Sequence, residues 1–399
     1  MVATSQISAA AVSVKQPRFH QLDAIRGVAA LAVVLSHFSS VMASDPAGNI
    51  DGLNKALAYF MLTPLGGILI GLPAVLLFFV LSGFALTKML QNSRDGYVGY
   101  AVKRVARIWP PYLLAIALSV VFIATLGWPT GEHVSGWVSK ITGHPLSGKD
   151  VIDHVLLLGA FEPHYNFVAW TLVYEMRISL LFPLIYMTLL RWGPSKALSI
   201  YGAVSLTCVA LHYFAKSQGY LPLANWALTG HYVLFFVVGG LIALHLAAIA
   251  RWYQARSNIA RFALLALIIV SYTYPPQIRD LGGVFAKFPM ILTHWMILPS
   301  VALVVIMAIT SPKIEALLLH QPLQWLGKVS YSLYLFHPLV LFFMVRHLSD
   351  NFQVLNAALL GVAMSLVVAA LAYRWAELPS QKMGRVLADI LRRRNAVPD

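Results

Sequence analysis

The chain of 399 residues is 59% hydrophobic and only 11% charged, with a formal net charge of +14 and a mean hydropathy of +0.73. Soluble globular domains carry about 25% charged residues, so a soluble enzyme is excluded and a polytopic membrane protein is expected. Nucleic acid is excluded as a partner as well, because the basic residues fall in short clusters between apolar runs and not on one soluble domain.

Ten apolar runs are long enough, or nearly so, to span a hydrocarbon core of about 30 Å. They lie near 25–43, 65–87, 108–128, 167–190, 197–214, 229–250, 261–275, 290–310, 329–347 and 354–376. The expected fold is therefore an all-α membrane bundle of about ten transmembrane helices. It divides into a cytoplasmic lead (1–20), one membrane domain (21–380) and a basic cytoplasmic tail (381–399), with no fused soluble domain and no repeat. The seventh run is short and ends at Pro275 and Pro276, so a span that is tilted, broken or extended by flanking residues is expected there. With the N-terminus inside, Lys103, Arg104 and Arg107, then Arg251, Arg256 and Arg261, then Arg392, Arg393 and Arg394 all fall on the cytoplasmic side. The outer segments hold only scattered residues such as Lys55, Lys140 and Lys216. The positive-inside rule then puts both termini in the cytoplasm. The lead, Met1 to Gln16, is polar and alanine-rich, and the first apolar run is too long for a cleaved signal peptide and lacks its small-residue pattern, so it is expected to remain as an anchor.

The first run, His20 to Ser40, reads HQLDAIRGVAALAVVLSHFSS and builds two ionisable groups into an apolar helix. Arg26 and His37 are eleven positions apart, almost a whole number of turns, so they share one face at two depths about 16 Å apart. Ionisable groups inside a membrane helix are costly, and the default reading is a functional site facing protein or water. Arg26 alone would also fit a marker of the cytoplasmic end, with His37 a hydrogen-bonded interior histidine. This stretch resembles the first-helix signature of the acyltransferase-3 family of membrane acyltransferases, which has ten residues between an Arg and a His, the His being held catalytic.

The second run, VLLFFVLSGFALTK, resembles that family's FFxLSGF element through Leu81, Ser82, Gly83 and Phe84. A Ser-Gly pair in a membrane helix equally serves close helix packing. Before the third run, YAVKRVARIWPPYLL clusters Lys103, Arg104 and Arg107 ahead of Pro110 and Pro111 and resembles the family's RRxxRIxPxY element, with Lys103 in place of one Arg. Such a cluster is a topology signal, and its guanidinium groups also suit bidentate bonds to phosphate.

The loop from Pro129 to Asn166 holds His133, His144, His154, Glu162 and His164, in spacings that match no established metal pattern, so no metal is expected and contacts to an external acceptor are favoured. The fourth run brings Trp170, Glu175 and Arg177 into the outer half of the membrane, and its WTLVYE resembles a family WSLxxE element with Thr171 for Ser. Glu175 either meets His37 at one depth or pairs with another buried base such as Arg177. His231 and His294, in the sixth and eighth runs, are expected to line an outer cavity. The single Cys208 lies inside the fifth run as a small core residue.

The ninth run, LGKVSYSLYLFHPLVLFF, resembles GxxSYxxYLxH through Gly327, Ser330, Tyr331, Tyr334 and His337. Ser330, Tyr334 and His337 form one polar stripe at i, i+4 and i+7, which faces protein or water. At the end of the tenth run Arg374, Glu377 and Pro379 resemble a family ExP terminus, where an ion pair closing the bundle is expected.

The resemblance covers about residues 19–385 in six ordered elements. It implies transfer of an acyl group, with acetyl the default, from cytoplasmic acyl-CoA to a hydroxyl of a sugar, glycan or glycolipid acceptor, often at a bacterial inner membrane. On that view Arg26, Lys103, Arg104 and Arg107 bind acyl-CoA as a donor substrate, with no tightly bound cofactor. His37 acts as base or acyl carrier with Glu175, and Ser82, Trp170, Ser330, Tyr331, Tyr334 and His337 line the acceptor site or pore. Membrane lipid surrounds the bundle, and no feature of the sequence specifies an oligomeric state. A secondary transporter or flippase would also carry ten spans with buried Arg, His and Glu, but the ordered elements favour the enzyme.

Overall fold

A computed structural model describes residues 18–43, 51–93, 95–129, 136–143, 145, 147–157, 165–348 and 354–394. The lead through Gln16, the loop residues His133, His144, Glu162 and His164, and the last residues, Asn395 to Asp399, lie outside the described residues. Among the described residues the chain is helical and contains no strand. The helices are α1 (His20–Ala43), α2 (Asp51–Leu62), α3 (Gly71–Asn92), α4 (Tyr97–Leu126), α5 (Gly136–Ile141), α6 (Gly148–Leu156), α7 (Ala169–Arg191), α8 (Pro194–Ser217), α9 (Leu221–Leu244), α10 (Leu246–Gln254), α11 (Asn258–Thr273), α12 (Thr293–Thr310), α13 (Pro312–Leu318), α14 (Gln321–Leu348), α15 (Val354–Ala372) and α16 (Leu378–Arg394).

Among the described residues nine helices are long and apolar enough to cross a membrane, or ten if α10 and α11, bent by 118° at their junction, make one broken span. The short seventh run is α11, so the bend lies ahead of it, and a 3-10 turn beginning at Pro275 and Pro276 follows it. Apolar side chains such as Leu206, Phe214, Phe262 and Val367 are exposed on the outside of the bundle, as a lipid-facing surface requires.

The centre of the bundle is α1, packed lengthwise on α14 and α3, with α3 in turn on α9. The close approach of α1 to α14 is set by two glycines: a Cβ on Gly27 would lie 2.5 Å from the Gly327 nitrogen, and one on Gly327 would collide with the Asp23 carbonyl. Gly83, of the Ser-Gly pair, does the same for α3 against the Phe236 backbone of α9. Packing is the role of Gly83, while its neighbour Ser82 faces a cavity.

The third span differs from the sequence reading. It begins at Tyr97, so Lys103, Arg104 and Arg107 lie within α4, and Pro110 and Pro111 fall in its interior. A proline removes an N–H and leaves the carbonyl four residues back unpaired. Here the freed Ala106 carbonyl accepts from Ser380 Oγ of α16, and the nearby Ile108 carbonyl accepts from the Tyr331 hydroxyl of α14 at 2.7 Å. The Ser380 hydroxyl of a neighbouring helix thus replaces the ladder bond lost at Pro110. The other departure is at the C-terminal side, where a π-helical turn, Tyr373–Glu377, joins α15 to α16, and α16 packs along α4. The segment before the second span contains α2.

Candidate functional site

A cavity of about 760 Å³ lies between α1, α3, α4, α7, α14 and the Tyr373–Glu377 turn. Its mouth carries Arg18, Lys88, Lys103, Lys328 and Arg385, and Arg26, Arg104 and Arg107 stand deeper in its wall. Its far end is formed by Phe78, Thr171 and Tyr334. Along α1 the lining stops at Arg26, and along α14 it stops at Tyr334, one helical turn before His337. The cavity is therefore basic at its mouth, becomes apolar and aromatic inward, and ends just short of two histidines.

The basic groups are not equivalent. Arg104, buried, holds Glu175 at 3.5 Å and donates to Ser179 Oγ at 3.2 Å, and Ser82 Oγ donates to the same Glu175 oxygen at 3.3 Å. Arg26 is tied to Asp23 at 3.4 Å, and Arg18 to the same carboxylate at 2.8 Å. Lys103 pairs with Asp95 in the short turn between α3 and α4. Burial would push the Asp95 carboxyl up, but hydrogen bonds from Lys103 and Ser93 and the Lys103 charge outweigh it, so Asp95 lies below the usual carboxylate range. Arg107 forms no hydrogen bond or ion pair with a described residue, and it lines the cavity. Of the guanidinium groups in α4, Arg107 is thus the one ready for an anion.

The two histidines meet beyond the Tyr334 end. His37 Nδ1 lies 2.8 Å from His337 Nε2, with the ring planes 10° apart and the centroids 5.1 Å from each other. His337 Nδ1 lies 3.1 Å from the Leu333 carbonyl. Trp137 of α5 stacks on His37 at 5.6 Å, and Phe167, just before α7, meets it edge-on at 4.8 Å. Both come from the loop face, so His37 lies between the end of the basic cavity and a cap of loop aromatics. Tyr334 separates cavity from histidines: its hydroxyl lies 2.8 Å from Thr171 Oγ1 and donates to the Val168 carbonyl at 3.2 Å, with Phe78 and His337 on either side of its ring.

The structure brings together most, but not all, of the residues expected from sequence. Arg26, Ser82, Lys103, Arg104, Arg107, Glu175, Ser330, Tyr331 and Tyr334 all line the cavity. His37 and Glu175 do not meet, since the partner of His37 is His337 and those of Glu175 are Arg104 and Ser82. Arg177 does not pair with Glu175 either; it donates to Asn225 and Thr229 and lies over the Trp226 ring at 3.8 Å. Trp170 packs on Tyr174 and Tyr232 outside the cavity lining. His231 and His294 are not in the lining of this cavity: they are buried 3.0 Å from each other, and His231 Nδ1 lies 2.8 Å from Ser205 Oγ. His154 is buried against Tyr165, with Nδ1 2.7 Å from the Asp150 carbonyl. Glu377 makes no ion pair with Arg374; it accepts from Ser332 and Gln381 and lines the cavity. Trp137, Phe167 and Thr171 escaped the sequence reading as neighbours of the polar centre, because an aromatic or a threonine in an apolar segment carries no signal beyond its hydropathy.

A family profile described as "Acyltransferase domain" matches residues 19–374. A protein named "Acyltransferase MdmB" of Streptomyces mycarofaciens is 29% identical over 203 residues, covering 50% of this chain and 47% of its own length. "Protein 2 in picA locus" of Rhizobium radiobacter is 36% identical over 120 residues, 28% of this chain and 51% of its own length. The chain thus spans about half the length of these curated relatives. No solved structure matches.

Proposed function

The chain belongs to the acyltransferase family whose profile covers residues 19–374, and from that membership we propose that it is a membrane O-acyltransferase that moves an acyl group, acetyl by default, from cytoplasmic acyl-CoA to a hydroxyl of a sugar or glycan acceptor. The observation that carries this reading is the cavity itself, basic at its mouth and ending one helical turn from a hydrogen-bonded histidine pair. A nucleotide with several phosphates suits this basic end, where the lysines of the mouth and Arg107, deeper in the wall, supply charge-assisted bonds. The thin, uncharged pantetheine arm suits the inner stretch past Phe78 and Leu81 toward Tyr334.

Transfer then needs Tyr334 to yield so that the thioester reaches His37. The acceptor hydroxyl, entering from the loop face beside Trp137, gives its proton to the His37 imidazole as its oxygen attacks the thioester carbonyl. The C–S bond breaks, the acyl group stays on the acceptor oxygen, and the departing CoA thiolate takes the proton back from the imidazolium. Basic residues concentrated at the cavity mouth support a cytoplasmic orientation of that face and both termini, in what we take to be a bacterial inner membrane.

The test is to incubate membranes containing the protein with acetyl-CoA labelled in the acetyl group. Free CoA is expected to appear and label to enter a glycan fraction, and both should be lost in His37→Gln, whose amide neither takes a proton at neutral pH nor carries an acyl group. Near-normal transfer in His37→Gln at verified protein levels would overturn the role given to His37, and label entering no acceptor in the wild type would overturn the reaction.

A further inference from the structure

We propose that His337 is a positioning residue that fixes His37 in one tautomer, with the proton on Nδ1 and the lone pair on Nε2 left for the acceptor hydroxyl. The proposal rests on the reading of His37 as the base and goes beyond it, since it assigns the reacting nitrogen and the group that selects it.

The argument is a donor count. His337 Nδ1 lies 3.1 Å from the Leu333 carbonyl, and a carbonyl only accepts, so this nitrogen carries the proton. A neutral imidazole has one N–H, so Nε2 of His337 is an acceptor. That Nε2 lies 2.8 Å from His37 Nδ1, which must therefore donate. The proton of neutral His37 is then on Nδ1, and its Nε2, which has no hydrogen bond to a described residue, holds a lone pair. The direction of the whole chain is thus set by one backbone carbonyl of α14.

Pro338 follows His337 inside α14 and cannot donate to the Tyr334 carbonyl, which loosens the ladder at this turn. The His337 ring turns back along its own helix to the adjoining Leu333 carbonyl, so its position is fixed by the backbone as well as by packing. His337 is fully buried, in contact with Phe167 and Tyr334 rings. An apolar side chain would fill that space as well, but would leave His37 Nδ1–H without an acceptor. When His37 takes up a proton, its Nδ1–H bond to His337 becomes charge-assisted and strengthens, which favours the state in which proton transfer has occurred. The arrangement parallels the orienting group behind a catalytic histidine, where the wrong tautomer disables the base even though its position is kept.

The experiment is solid-state NMR on the full chain in lipid bilayers, labelled with 15N and 13C in histidine only, with His37 signals assigned by difference against His37→Gln. At a pH where both rings are neutral, His37 is expected to be protonated on Nδ1 in the wild type and in His337→Gln, whose amide oxygen can accept from it. In His337→Leu the proton is expected to leave Nδ1. Transfer activity should stay within about tenfold of wild type in His337→Gln and fall by about 100-fold or more in His337→Leu, the scale of a general base put out of action, while affinity for CoA is unchanged in both. Nε2-protonated His37 in the wild type, an Nδ1 proton that persists in His337→Leu, or full turnover in His337→Leu would each overturn the proposal. The tautomer needs no substrate, so failure of the base reading is separable: it shows as full transfer in His37→Gln together with an Nδ1-protonated wild type.

Discussion

Arg104 of α4 holds Glu175 of α7 at 3.5 Å, whereas Arg107, one turn further along the same helix, has no ion-pair partner among the described residues. The two arginines therefore have different work, although the sequence presents them as one cluster. Arg107→Ala is expected to weaken CoA binding about 10-fold to 100-fold, the effect of losing a hydrogen bond to a charged group, with little change in thermal stability. Arg104→Ala is expected to act first on stability, by roughly 3 kcal/mol or more, because it strands a mostly buried carboxylate. Replacing both partners, as in Arg104→Met with Glu175→Leu, should recover part of that loss. Isothermal titration with CoA and thermal unfolding in detergent separate the two roles; a stability loss confined to Arg107→Ala would reverse the assignment.

Ser380 of α16 supplies the hydroxyl that satisfies the Ala106 carbonyl freed by Pro110. Ser380→Ala leaves that buried acceptor empty and is expected to cost about 1–3 kcal/mol, seen as a lower unfolding temperature with transfer by the folded fraction unchanged. Pairing it with Pro110→Ala, which restores the ladder N–H, should remove most of the penalty. Additive losses in the double variant would show that the two sites are not coupled.

Asp95 and Lys103 make the turn between α3 and α4 sensitive to acid. The carboxyl sits below its ordinary range in the folded protein, so its contribution is complete above the unfolded-state value and disappears as the pH falls through the lowered folded value. Asp95→Asn should be less stable than wild type at neutral pH and should converge with it in acid. Parallel unfolding curves across that range would show that the pair contributes nothing.

Orientation can be read directly. A reporter fused to the C-terminus is expected in the cytoplasm, and one inserted near Gly148, at the start of α6, on the outer side. The reverse pattern would put the basic cavity mouth outside and remove cytoplasmic acyl-CoA as donor.

Much of this molecule was legible in single segments. Apolar runs located the helices, although the short run before Pro275 is itself one helix, α11, and the bend lies ahead of it, between Gln254 and Asn258. Helical period placed Arg26 and His37 on one face of α1, and Ser330, Tyr334 and His337 on one stripe of α14. These are local properties: they follow from the period of a helix and need no knowledge of its neighbours.

Tertiary structure decided which stripes face each other. His37 and His337 are 300 residues apart in the chain and meet because Gly27 and Gly327 let α1 and α14 approach to backbone contact. Glu175 goes to Arg104 and not to His37 because the rotation of α7 is set by its packing on α3, α4 and α9 and by Asn166, which donates to the Leu335 carbonyl at 2.9 Å. The carbonyl that Pro110 frees within α4 likewise finds its donor on α16. In each case the partner of a polar group is supplied by a different helix. Hydropathy and periodicity fix what a helix presents on each face, but only the interlocking of helix surfaces fixes what that face meets.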